Sequence, residues 1–133
     1  MTGSCLCGEI EFEAKEFPGL VFNCHCSRCR KSHGSAFATQ AFAVRSSLRF
    51  RKGQHLLKEY ESTRGIRAFC SNCGSRLMNY AKNNRDYLSV ATACLDSSYH
   101  GKPVADAFLE SKAEWYEPSG NIPGFAGAPT GVG

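Results

Sequence analysis

The stretch FNCHCSRCRKSHGSAF, residues 22–37, places three cysteines within six positions, at Cys24, Cys26 and Cys29. Thiolate sulfur binds zinc and other soft or borderline metals, and a CxC or CxxC loop brings two sulfurs to one ion with little distortion of the backbone. The spacing therefore predicts a metal site in this segment.

Two cysteine pairs lie outside this stretch, Cys5 with Cys7 in GSCLCGEIEF and Cys70 with Cys73 in FCSNCGSRL. Seven of the eight cysteines thus fall in three tight groups, which cysteines placed singly by core packing would not do. Structural zinc takes four protein ligands, whereas catalytic zinc usually takes three and leaves one position open. The two pairs together predict a closed four-thiolate site, and the cysteines of residues 22–37 predict a three-thiolate site with an open position.

Three alternatives remain open from the residues alone. A fourth ligand would close the second site, and His33, four residues after Cys29, is a better ligand than His25, which lies between two cysteines and is expected to point away. A Cys3His set is common in structural zinc sites. Closure by His33 would leave no open position, and the hypothesis of catalysis would lose its main support. The cysteines could instead form disulfides or perform thiol redox chemistry without metal.

Length and composition indicate one globular domain. The chain has 133 residues, 42% of them hydrophobic, and a net charge of +4. Residues 1–20 carry no basic start followed by an apolar stretch, and no run of 18 apolar residues occurs, which predicts a cytoplasmic protein with no membrane partner. A reducing compartment keeps clustered thiols free for metals. No dinucleotide fingerprint, phosphate loop or GxSxG motif is present, so nucleotide-driven and serine-hydrolase chemistry lack support.

Short alternating segments predict a mainly β domain with short helical turns. Strands are expected just after the first cysteine pair, in residues 35–44 and in 86–95, and shorter edge strands in 108–110 and 115–117. A turn is expected at residues 17–19, and a helical turn that ends at Gly34 is expected after the CHCSRC segment. Cys94 has no cysteine nearby in the sequence and is interpreted as a small buried hydrophobe. The Gly- and Pro-rich residues 118–133 predict an irregular tail after a domain that spans 1–117.

The chain resembles the glutathione-dependent formaldehyde-activating enzyme family, which also includes centromere protein V-like proteins. The similar features are GSCLCGEIEFE, CHCSRCRKSHGSAF, FCSNCGSRL and SKAEWYE, which together cover almost the whole chain apart from the tail. The resemblance implies a β-tent zinc-binding fold with two zinc ions, one structural and one catalytic. By the same resemblance, the structural ligands are Cys5, Cys7, Cys70 and Cys73, and the catalytic ligands are Cys24, Cys26 and Cys29.

The resemblance also implies an activity, the reversible joining of glutathione and formaldehyde into S-hydroxymethylglutathione, a carbon-sulfur lyase reaction. Relatives often carry a His shortly before the SKAxW segment, where this chain has Asp106. If that His binds substrate in relatives, the substrate here differs. The expected partner is a small thiol such as glutathione, and the sequence leaves the oligomeric state open.

Cations near the three-thiolate site are candidate substrate-binding residues. Three thiolates on Zn²⁺ carry a net charge of about −1, so a fourth thiolate would approach against repulsion unless positive charge lies nearby. Arg28, Arg30 and Lys31 could supply that charge, and His33 could contact substrate if it is not a ligand.

A zinc-stabilised binding module without catalysis is the second hypothesis. The segment RSSLRFRK, residues 45–52, combines four cations with Phe50 and could contact a phosphate backbone. The total charge is low, and Arg49 and Arg51 would share the polar face of a strand, so nucleic acid is the less favoured partner.

Overall fold

The computed structural model describes residues 1–130, which form two compact units that each combine two segments of the chain. Unit 1 comprises Met1–Phe17 and Phe42–His100. Unit 2 comprises Pro18–Ala41 and the described residues from Gly101 onward. Within the described part of the chain, the structure is mainly β, with two sheets, one α-helix and short 3-10 turns, which confirms the predicted fold class.

The helix of the described residues is α1 (Ser27–His33), and the strands are β1 (Thr2–Ser4), β2 (Glu11–Glu13), β3 (Glu16–Cys24), β4 (Ala38–Val44), β5 (Arg49–Lys52), β6 (Leu57–Ser62), β7 (Gly65–Cys70), β8 (Arg76–Tyr80), β9 (Tyr87–Ala91) and β10 (Ala105–Ala107).

Unit 1 contains the sheet β1-β2-β5 and an antiparallel run of strands in the order β9-β8-β7-β6. Ile10 and Phe12 are fully buried on either side of the exposed Glu11, as the period-two pattern after the first cysteine pair predicts. Burial of large apolar side chains drives the packing of this unit. The core of unit 1 also contains Leu77, Met78, Leu88 and Val90.

Unit 2 is organised around strand β3 and helix α1. Strand β10 pairs with β3 in parallel, and the register sets Asn23 opposite Asp106. Helix α1 begins immediately after Cys26, whose side chain accepts a hydrogen bond from the Cys29 amide. It ends at His33, and the next residue, Gly34, adopts the left-handed conformation (φ 61°) that glycine favours at a helix end, as predicted.

The segment 118–130 contains no described helix or strand beyond an isolated bridge between Gly124 and Asp106. Its backbone is nevertheless held, because the Phe125 amide donates to the Asp106 carbonyl (2.9 Å) and the Asp106 amide donates to the Pro123 carbonyl (2.9 Å). Residues 131–133 of the predicted tail lie outside the described residues, and the division at residue 117 stays a prediction.

Several local predictions are wrong. Residues 17–19 lie inside strand β3 rather than in a turn, with Pro18 exposed, where the loss of an amide donor is tolerated. The expected strand at 108–110 is replaced by a 3-10 turn that follows the left-handed Phe108, and residues 115–117 hold no described strand. In residues 86–95, only Tyr87–Ala91 form a strand. Strands β1 and β10 are three residues long and carried no alternating pattern.

Among the described residues, no helix is both long enough and apolar enough to cross a lipid bilayer.

Candidate metal centres

The two cysteine pairs meet in unit 1 and form a group that we call cluster A. Its sulfur atoms all lie within 4.8 Å of one another. The sulfurs of Cys5 and Cys7 are 3.5 Å apart, and those of Cys7 and Cys70 are 3.9 Å apart. A tetrahedral zinc site with Zn–S bonds of about 2.3 Å requires sulfurs about 3.8 Å apart, so the donor set fits zinc in both chemistry and spacing. The members of cluster A are Cys5, Cys7, Cys70 and Cys73.

Two tight loops position the sulfurs of cluster A. The Gly8 amide donates to the Cys5 carbonyl (3.0 Å), and the Gly74 amide donates to the Cys70 carbonyl (2.8 Å). Both glycines have positive φ, of 76° and 78°, a conformation that other residues adopt only with strain. Each loop is therefore closed by a glycine one residue beyond its second cysteine.

Hydrogen bonds and burial shift the pKa values of cluster A in different directions. The hydrogen bond with Ser75 lowers the pKa of Cys73 to about 5, and the Asn72 amide group, 3.3 Å from the Cys7 sulfur, lowers the pKa of Cys7. Burial raises the pKa of Cys70 to about 11. Since a bound cation requires deprotonated sulfur, metal binding would release the proton that burial favours on Cys70.

The second group lies in unit 2, and we call it cluster B. It consists of Cys24, Cys26 and Cys29, whose sulfurs also lie within 4.8 Å of one another. Cys24 ends strand β3, Cys26 caps helix α1 and Cys29 lies in its first turn. Cys29 is buried, whereas the other two are partly exposed, so cluster B has one inner and two outer sulfurs.

Mutual hydrogen bonds distribute the protons within cluster B. Hydrogen bonds from Cys24 and Cys29 hold the pKa of Cys26 far below its ordinary value, and the hydrogen bonds of Cys24 with Cys26 and Cys29 raise the pKa of Cys24 strongly. The buried Gln40 donates from Nε2 to the Cys29 sulfur (3.2 Å), which fixes the position of that sulfur. Sequence reasoning missed Gln40, although a glutamine within the apolar strand ATQAFAV is a detectable signal.

The imidazoles do not join cluster B. Among the described residues, the group of possible ligand atoms within 4.8 Å of one another consists of the three sulfurs. It includes no ring nitrogen of His25 or His33. The geometry thus gives no support to closure of the site by His33. Cluster A has four sulfurs and cluster B has three, which is the division expected from the sequence.

His25 is instead paired with Asp106. Its Nε2 lies 2.9 Å from Oδ1 of Asp106, and both residues are buried. The carboxylate also accepts a hydrogen bond from Asn23 Nδ2 (3.2 Å), and Thr39 donates to Asn23 Oδ1 (2.7 Å). Because a carboxylate only accepts, the Nε2–H form of His25 satisfies the pair. The Asp106 carboxylate is thus already hydrogen-bonded to His25. Asp106 is therefore not a direct substitute for the histidine that relatives often carry at this position.

The surroundings of His25 hold the loop between Cys24 and Cys26. Its amide donates to the Ala107 carbonyl (2.9 Å), which ties the loop to β10. Its ring lies 5.1 Å from that of Phe37 and stacks on Tyr116 at 6.4 Å. His25 Nδ1 is buried without a hydrogen-bond partner among the described residues. These contacts restrain the backbone between two of the three sulfurs.

We expect Asp106→Ala to lower the free energy of unfolding by about 3 kcal/mol, because one partner of a buried pair is removed and the His25 and Asn23 donors lose their acceptor. Asp106→Asn keeps an acceptor oxygen and should cost about 1 kcal/mol. Urea denaturation measures both. The control is Asp86→Ala, which removes an exposed carboxylate bonded to Ser46 and should cost less than about 1 kcal/mol. Equal losses in Asp106→Ala and Asp86→Ala would contradict the structural role of Asp106.

The predicted substrate-binding cations lie on or next to α1 in different environments. Arg28 and Lys31 are exposed, and His33 is partly buried in the last turn. Arg30 donates from Nε to the Ser111 carbonyl (3.1 Å), so part of its guanidinium holds the helix to the SKAEWYE segment. A substrate role for these four residues stays a prediction.

The basic segment 45–52 is largely engaged within unit 1. Arg45 donates to the Ala81 carbonyl (2.9 Å) and lies 4.5 Å above the ring of Tyr80. Arg49 donates to the Ser46 carbonyl, and Arg51 pairs with Glu13 at 2.8 Å. These internal contacts occupy guanidinium donors that a phosphate backbone would need, and Glu13 offsets the charge of Arg51.

A family model described as "Glutathione-dependent formaldehyde-activating enzyme" matches residues 1–111, which contain both clusters. A crystal structure of a Rhodobacter sphaeroides protein is 27% identical in sequence, with a TM-score of 0.63, and the alignment covers 94% of this chain and 100% of that chain. No curated protein matches the chain.

Proposed function

Because the chain belongs to the glutathione-dependent formaldehyde-activating enzyme family, we propose that it is a zinc-dependent enzyme that joins formaldehyde to a small thiol of the glutathione class. The reaction is of the carbon-sulfur lyase type and is reversible. The thiol sulfur forms a bond to the formaldehyde carbon, the carbonyl π bond breaks, and the thiol proton ends on the oxygen of the S-hydroxymethyl product.

The observation that carries this proposal is the difference between the two clusters. Cluster A offers four sulfurs, enough to complete a tetrahedral site, whereas cluster B offers three, and no imidazole of the described residues joins them. Structural zinc sites are closed, and catalytic sites keep one position for water or substrate. We therefore assign a structural ion to cluster A and a catalytic ion to cluster B.

A zinc ion bound by cluster B would lower the pKa of a thiol and polarise a carbonyl oxygen. The residues of the chain would prepare the site in several ways. Cys24, Cys26 and Cys29 would hold the ion, and Gln40 would keep the Cys29 sulfur fixed through its hydrogen bond. The exposed cations on α1, Arg28 and Lys31, would offset the negative charge of the thiolates and attract an anionic thiol.

The proposal makes a prediction about metal content and thiol binding. Protein purified without chelator should contain two zinc ions per chain, and X-ray absorption at the zinc edge should detect one additional sulfur ligand per chain when glutathione is added. NMR exchange spectroscopy with ¹³C-formaldehyde and glutathione should show faster exchange than in buffer alone, by at least about tenfold at catalytic protein concentration.

Bovine serum albumin at the same concentration controls for nonspecific thiol chemistry. Two zinc ions that gain no sulfur, together with exchange at the rate of the buffer, would contradict the enzyme hypothesis and favour a zinc-stabilised binding module.

We also propose a cytoplasmic location. Seven of the eight cysteines form two groups that could hold metal, and a reducing compartment keeps clustered thiols available for that role.

A further inference from the structure

Unit 1 contains a cavity of about 210 Å³ that neither metal cluster lines. The floor of the cavity is a row of polar residues on three neighbouring strands. In the register of these strands, Arg67 lies opposite Asn79, and Asn79 lies opposite Ser89. The adjacent residue on each strand is buried in the core. Side chains alternate between the two faces of a strand, so the polar row lies on the face opposite the core. Asn79 Nδ2 donates to Ser89 Oγ (3.2 Å), which orders the floor.

The rim of the cavity adds a second guanidinium group. Arg64 lies in the turn between β6 and β7, is exposed and has no ion-pair partner among residues 1–130. No Asp or Glu lines the cavity. Two carboxylates of the neighbouring strand β6 have other partners: Glu59 accepts from the Tyr80 hydroxyl (2.6 Å), and Glu61 pairs with Lys82 (3.2 Å). The cavity therefore carries a net positive charge.

Two aromatic rings form an apolar wall beside these donors. Phe42 and Tyr87 both line the cavity, and their ring centroids are 6.0 Å apart. A ligand with a charged end and a short hydrocarbon part would contact both the guanidinium groups and this wall. Sites for whole drug-sized molecules usually occupy about 300–1,000 Å³, so a cavity of this size suits one end of a ligand.

We propose that this cavity binds the oxyanion end of a small molecule, a carboxylate or a phosphate, through Arg64 and Arg67. Arginine presents a planar fork of donors that matches the geometry of both groups. The floor residues Asn79 and Ser89 supply further polar contacts beside the guanidinium groups. The proposal goes beyond the proposed function and does not depend on the metal chemistry of cluster B.

The test is an NMR titration of the ¹⁵N-labelled, metal-loaded protein with two probes, inorganic phosphate and S-methylglutathione. The second probe carries two carboxylates but no free thiol, so its binding is independent of thiol coordination to a metal. The amide signals of Gly65, Asn79 and Ser89 should shift in a saturable manner with at least one probe. A stronger response to S-methylglutathione identifies a carboxylate ligand, and a stronger response to phosphate identifies a phosphate ligand.

Variants separate the cavity from general surface charge. Arg64→Gln should weaken binding about tenfold, since a charge-assisted hydrogen bond is lost from an exposed residue without damage to the core. Arg85→Gln is the matched control, because Arg85 is also exposed but does not line the cavity. Equal weakening in both variants, shifts located elsewhere, or no saturable shift with either probe would overturn the proposal. None of these results would bear on formaldehyde exchange, so the two proposals can fail separately.

Discussion

Substitution of Cys70 by serine is expected to unfold unit 1. Cys70 is fully buried, and serine supplies a neutral hydroxyl in place of a thiolate, so cluster A would retain three sulfur ligands. Structural zinc in zinc-finger peptides contributes about 10–16 kcal/mol of binding free energy that is also folding free energy. Domains of ordinary stability have only about 5–15 kcal/mol to lose. Removal of one ligand should therefore be more damaging than most core substitutions.

Zinc content and hydrogen-deuterium exchange measure this effect. Cys70→Ser should lose one zinc ion per chain, and the amides of strands β7 and β8 should lose their protection. Cys94→Ser is the control, because Cys94 is outside cluster A and donates from its sulfur to the Arg76 carbonyl (3.1 Å). That change should cost about 1 kcal/mol and leave the zinc content unaltered. A Cys70→Ser protein with full zinc content and wild-type protection would refute the assignment of cluster A.

Substitution of Cys26 by serine is expected to abolish catalysis while the fold persists. Cys26 has two roles, since its sulfur belongs to cluster B and also caps helix α1 by accepting from the Cys29 amide (3.4 Å). Serine is a preferred N-cap residue, so the helix end stays satisfied. The remaining pair of thiolates should hold zinc poorly. We expect loss of one zinc ion per chain and at least about a hundredfold decrease in formaldehyde exchange, comparable with removal of a key catalytic group.

Cys26→Ala separates the two roles of this residue. Alanine removes both the ligand and the cap, so the variant should lose the same activity and an additional ~1 kcal/mol of unfolding free energy relative to Cys26→Ser. Thermal denaturation and exchange spectroscopy, performed on both variants, give the comparison. If Cys26→Ser keeps wild-type exchange, cluster B is not the catalytic centre.

The two cysteine clusters could be predicted because their signal is local. Within each of the three groups, the cysteines lie within six residues, and ligand spacing restricts the backbone around them independently of the rest of the fold. The first and third groups could be assigned to one site because structural zinc takes four ligands and each of these groups has two cysteines. The helical turn at α1 was predictable for a similar reason, since Gly34 supplies its own termination signal.

The contacts that surround cluster B were not predictable from local patterns. His25 and Asp106 are 81 residues apart and meet because β10 pairs with β3. Strand β10 has only three residues, Ala-Asp-Ala, which carry no alternating apolar signal. In the sequence, Asp106 stood out only as a departure from a family pattern. Its buried partner, His25, could be identified only from the parallel pairing of β10 with β3.

The composition of cluster A also dictates an order of events during synthesis. Cys7 and Cys70 are 63 residues apart, so the first cysteine pair leaves the ribosome long before the second exists. A growing chain therefore carries two unpartnered thiols through nearly half of its translation, and an ion bound early would have to wait for its remaining ligands. Once Cys73 has emerged, an ion bound by all four thiolates would close this long loop and act as a cross-link between two distant parts of the nascent polypeptide.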